Sequence, residues 1–91
     1  MKVLVLYRPR SEHRQAVEEF IRRYNESYTD SSLEVLDVDQ RDGSATASLY
    51  DILQYPGFLI LRDDGSVLQS WQGPDNIPKI EDVHYYVTSS I

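Results

Sequence analysis

The sequence predicts an α/β fold: one four-stranded mixed sheet with helices on both faces, a three-layer sandwich in the order β-α-β-α-β-β-α. Three observations carry this. Residues 3–7 read Val-Leu-Val-Leu-Tyr, with no polar alternation, as a strand does when both of its faces are covered. A helical pattern then separates that strand from a second one at 33–39. Such a βαβ unit implies parallel strands joined by a right-handed crossover. Finally, Asp63-Asp64-Gly65-Ser66 between two further apolar runs is a hairpin turn.

The elements follow in order. Residues 2–7 form the first strand, and Pro9 stops its simple continuation. Ser11 is placed as the N-cap of the first helix, because its hydroxyl suits a free helix N–H. From His13, apolar Ala16, Val17, Phe20, Ile21 and Tyr24 recur at helical spacing, so they form the buried stripe. Glu18 with Arg22, and Glu19 with Arg23, stand in the favourable i, i+4 order, worth ~0.2–0.5 kcal/mol each. Thr29, Asp30, Ser31 and Ser32 end the segment. Leu33 to Asp39 is the second strand. Asp42-Gly43 reads as a turn, with Ser44 capping a short helix through Gln54 that buries Ala45, Leu49, Ile52 and Leu53. Tyr55-Pro56-Gly57 breaks it, and Phe58 to Leu61 is a buried strand. Val67 to Trp71 returns antiparallel at the sheet edge. Pro78 opens a last helix with the stripe Ile77, Ile80, Val83, His84 and Val87.

Length and composition bound the function. Ninety-one residues make a single domain, 1–91, with no room for a second core. Hydrophobic residues at 41% and charged residues at 26% argue against disorder. The formal net charge is −6, which disfavours nucleic acid as a partner. There is no cysteine, so the chain offers no disulfide, thiolate ligand or thiol nucleophile. No stretch nears the ~20 apolar residues of a membrane helix. The short run at 3–7, followed at once by Arg8, Pro9 and Arg10, is not a signal-peptide core. The expected compartment is therefore the cytoplasm.

The element order and several local motifs resemble the thioredoxin-like superfamily across essentially the whole chain, at the size of its glutaredoxin-like members. The motifs are the strand end Asp37-Val38-Asp39, the stretch Ala47 to Ile52 leading to Tyr55-Pro56, the hairpin at Asp64-Gly65, and Gly73. The resemblance implies that Pro56 is cis, and that the residue before it, Tyr55, offers backbone hydrogen bonds to a peptide or to glutathione. It also places the redox motif CxxC between the first strand and first helix. There this chain reads Ser11-Glu12-His13-Arg14. An alcohol and a guanidinium cannot perform dithiol exchange.

The remaining candidates are for recognition. Residues 1–23 hold six basic and three acidic residues, net +3, and the rest of the chain is net −9. Arg8, Arg10 and Arg14 gather around a helix start, whose N–H groups also favour anions. With Ser11, His13, Tyr55 and Pro56 they form the candidate site for an acidic peptide, a small anion or glutathione. Plain ion pairing of these arginines is the competing account. Serine at position 11 also resembles that of some glutathione transferases, which use it to hold the glutathione thiolate; those enzymes need a second domain. A third reading is a structural subunit gripped through Trp71 on the edge strand, as a monomer or homodimer. No cofactor is expected. Glu81-x-x-His84 is a single copy of a spacing that di-metal bundles use twice, and Asp37 with Asp39 flank one strand residue. Neither is read as a metal site.

Overall fold

The computed structural model describes residues 1–29 and 33–89. Its elements are β1 Lys2–Tyr7, α1 Arg14–Ser27, β2 Leu33–Asp37, α2 Arg41–Leu49, β3 Gly57–Leu61, β4 Val67–Gln72, a short 3₁₀ turn Pro74–Asn76, and α3 Ile80–Thr88. The sheet order is β2-β1-β3-β4. β1 and β2 run parallel, whereas β3 is antiparallel to both β1 and β4. The expected architecture is therefore present. Of the polar residues expected to end the first helix, Asp30, Ser31 and Ser32 lie outside the described residues.

The unbroken apolar run of β1 has a simple cause, since its side chains alternate between two buried layers. Val3, Val5 and Tyr7 join Phe58 and Ile60 against Val17, Phe20 and Tyr24 of α1 and Ile80 and Val83 of α3. Leu4 and Leu6 join Leu59 and Leu61 against Val38, Ala47 and Ile52. Phe20 meets Phe58 edge-on, with ring centroids 4.8 Å apart, so α1 is anchored to the central strands.

The second helix departs most from expectation. It starts at Arg41, not Ser44, and ends at Leu49, not Gln54. Asp42-Gly43 lies inside it rather than in a turn. Ser44 does not cap it; Gln40 stands at the cap and its carbonyl accepts the Ser44 N–H at 2.9 Å. Its inward face is Gly43 and Ala47, and Ala45 is exposed. Leu49 and Leu53, expected in the core, are 73% and 84% exposed. The helix lies so close to the end of β2 that a Cβ on Gly43 would stand 2.0 Å from the Asp37 carbonyl oxygen. Only small side chains fit that face, so Leu49 turns outward, while Ile52, beyond the end of the helix, is buried as expected. Leu53→Ser is expected to change stability by no more than about 0.5 kcal/mol, as read by urea unfolding. A loss of several kcal/mol would restore Leu53 to the core.

β2 ends at Asp37 rather than Asp39. Ala16 is exposed, beside a cleft between α1 and the start of α3. On α1 the ion pairs are Arg22 with Glu19 and Glu26, and Arg14 with Glu18. The expected Glu18–Arg22 and Glu19–Arg23 pairs do not form, because Arg22 lies between two other carboxylates. Pro78 precedes the cap residue Lys79 of α3. His84 stacks on Tyr28 at 3.8 Å between ring centroids.

Candidate functional site

The site lies where β1 ends and α1 begins, beside the loop that leads into β3. The parallel register sets Tyr7 against Asp37, so residues just past β1 meet residues just past β2. Arg8 is the first of these. Its Nε lies 3.3 Å from Asp39 Oδ1, and its guanidinium carbon sits 5.2 Å from the Tyr55 ring centroid. A cation over an aromatic face is attracted by the ring quadrupole. The Tyr55–Pro56 peptide is cis, Pro56 is buried, and its carbonyl accepts the Gly73 N–H at 3.0 Å. The structure thus brings Arg8, Tyr55 and Pro56 together.

The loop from Arg8 to Arg14 folds on its own polar groups. The Ser11 hydroxyl donates to the Arg8 carbonyl at 2.5 Å. Its expected role as N-cap is corrected: His13 stands at the cap, in αR conformation and without a capping side-chain bond. A side-chain cap needs an extended backbone, which the tight turn ahead of the helix does not supply. The Arg14 N–H donates to the Ser11 carbonyl at 3.3 Å.

His13 is bonded back to the same loop. Its Nε2 accepts the Arg8 N–H at 3.3 Å, which assigns the ring proton to Nδ1. Burial, and after it the Arg8 charge, hold its pKa below 6.5. The unfolded chain therefore takes up this proton at higher pH than the folded one, and stability falls as pH drops below about 6.5. A protonated Nε2 also loses the Arg8 N–H. His13 is expected to titrate with a midpoint below 6.5 by NMR, with a concurrent shift of the Arg8 amide. A midpoint at or above 6.5 refutes this arrangement.

The three arginines are not equivalent. Arg14 is held by Glu18, at 3.2 Å. The same Glu18 oxygen accepts the Tyr7 hydroxyl at 3.0 Å; burial, and then this carboxylate, push the Tyr7 pKa up. Arg8 is shared between Asp39 and Tyr55. Arg10 makes no ion pair among the described residues, and it lines a cleft of about 410 Å³ with Pro9, Asp37, Asp39 and Gln40. Sequence reasoning missed Glu18 as part of the site and did not pair Asp39 with Arg8. The i, i+4 spacing of Arg14 and Glu18 was available as a signal; Asp39 needed the strand register. Trp71 does not join this group. It is half-buried on β4 and packs edge-on against Tyr86 at 5.8 Å between centroids. Among the described residues, no group of three or more metal-ligating side chains gathers. No helix among them is long and apolar enough to cross a membrane.

This architecture defines a thioredoxin-like fold, here without the cysteine pair. Solved structures similar to it include a malarial protein, at TM-score 0.76 and 13% identity, covering 99% of this chain and 96% of that one. The thioredoxin Deadhead of Drosophila melanogaster follows at TM-score 0.73 and 18% identity, covering 99% and 80%. Thioredoxin 1 of Thermosipho africanus has TM-score 0.70 and 16% identity, covering 98% and 92%. No family profile matches the chain, and no curated protein matches its sequence. At these identities the likeness is one of fold.

Proposed function

We propose that this chain is a redox-inactive thioredoxin-like binding module that recognises an acidic peptide or another small anion, glutathione included. One observation carries the reading: the loop of Arg8 to Arg14 meets Tyr55, the residue before Pro56, through the Arg8 guanidinium, while no thiol is present to react. A fold can keep a site and change its chemistry. Arg10, without an ion pair among the described residues, and Arg8, paired to an exposed carboxylate, are the groups that would meet a ligand carboxylate. An exposed pair is weak, worth ~0–1 kcal/mol, so a bidentate ligand can displace Asp39. The Ser11 hydroxyl already donates to the Arg8 carbonyl, which supports recognition over activation of an external thiol.

The test is an NMR titration of the chain with a short acidic peptide, and separately with glutathione. Amide shifts at Arg8, Arg10, Ser11 and Tyr55 are expected, weakened by salt and lost in Arg10→Glu. No movement at these residues with either ligand overturns the reading. We also propose a cytoplasmic setting, which fractionation of a tagged chain would check.

A further inference from the structure

The sheet has two edge strands, β2 and β4. An unprotected edge offers a row of backbone N–H and C=O groups to another strand. β2 carries charges, with Glu34 paired to Lys2. β4 reads Val-Leu-Gln-Ser-Trp-Gln, with no charge and no proline of its own; among the described residues, the one charged group that meets its backbone is Arg62, whose guanidinium donates to the Val67 carbonyl at the strand's start, 3.2 Å away.

Its outward groups follow from the register. Trp71 stands opposite Phe58 and Gln69 opposite Ile60, and Gly73 donates to the Pro56 carbonyl. Hydrogen-bonded and non-bonded residues alternate along an antiparallel pair. Gly73, Trp71 and Gln69 are therefore bonded inward to β3, while Ser70 and Gln72 point their backbone groups outward. Two of those outward groups are already taken. Gln69 Oε1 accepts the Ser70 N–H at 2.8 Å, and Asn76 Nδ2 donates to the Gln72 carbonyl at 2.8 Å. Gln69 is itself held, because its Nε2 donates to the Tyr86 hydroxyl of α3 at 3.2 Å.

We propose that Gln69 and Asn76 are guards that close the β4 edge, and that removing them turns this edge into a pairing surface for a second copy of the chain. The occupant is a second copy because the strand is neutral. Two β4 strands can lie antiparallel without setting like charges opposite one another, although the chain carries a net −6. The guards also account for how an uncharged edge is left at the surface of an otherwise charged domain. This proposal does not rest on the arginine site.

The test combines two measurements on the full chain. Amide hydrogen exchange in the wild-type protein compares Ser70 with Gln72, whose N–H faces the same way. Ser70 is expected to exchange more slowly, and to lose that protection in Gln69→Val but keep it in Gln69→Glu, which retains an acceptor oxygen. Sedimentation of Gln69→Val with Asn76→Ala is expected to show self-association roughly tenfold tighter than wild type, from the hydrogen-bonding groups set free. Equal exchange at Ser70 and Gln72 in the wild type overturns the proposal. So does a folded double variant that associates no more than wild type, or a wild-type chain already paired through β4. If the double variant does not fold, the exchange comparison decides alone.

Discussion

Gly43→Ala is expected to destabilise the domain by roughly 1–2 kcal/mol, against what helix propensity alone predicts. Two effects compete. Alanine in place of glycine within a helix gains about 1 kcal/mol. The new Cβ, however, would stand 2.0 Å from the Asp37 carbonyl oxygen and 2.5 Å from its carbon. Both atoms are backbone, so no rotamer change relieves the contact. Either α2 lifts away from β2 or the end of β2 shifts. Forced overpacking of this kind costs ~1–3 kcal/mol and occasionally more, and here it also opens the packing of Ala47 and Ile52 on Leu4 and Leu59. Steric exclusion therefore wins over propensity. Urea unfolding of the variant measures the balance. Equal or greater stability than wild type would show that α2 is not seated against Asp37.

That close approach is also why the buried face of α2 was hidden in the sequence while the strands and the hairpin were not. The strands were readable because burial on both faces leaves an unbroken apolar run, as in β1 and β3. The hairpin at Asp63 to Ser66 was readable because turn chemistry is local: Gly65 takes φ +90° and Asp64 accepts the Ser66 N–H at 2.9 Å. The face of α2 was not. Large apolar residues ordinarily mark the buried side, but here the separation between helix and strand is set by a glycine, and Leu49 has no room inside. The order Ser11-Glu12-His13-Arg14 pointed to a candidate site, yet the role of Ser11 depended on backbone angles that a single residue type does not determine. The Arg8–Asp39 pair joins the ends of two strands far apart in the chain. Only the parallel register, with Tyr7 against Asp37, makes them neighbours.

The second large effect is expected at Phe58. Its ring is 1% exposed and meets Phe20 of α1, while its backbone lies between Val5 of β1 and Trp71 of β4. Phe58→Ala is expected to remove about 3–5 kcal/mol, from a domain whose whole stability is about 5–14 kcal/mol at this length. The consequence reaches the site. β3 begins at Gly57, directly after the Tyr55–Pro56 peptide, and the Pro56 carbonyl is tied to Gly73 at the end of β4. A cavity at Phe58 loosens α1 from β3, and these two elements hold the two halves of the site against each other. Wherever the variant remains folded, the Arg8 and Tyr55 amides are expected to shift with it, although neither residue touches the substituted ring. Leu53→Ser, close by in sequence but on the surface, is expected to leave both stability and those signals nearly unchanged. If the two variants behave alike, the distinction between a core that positions the site and a surface that merely borders it fails.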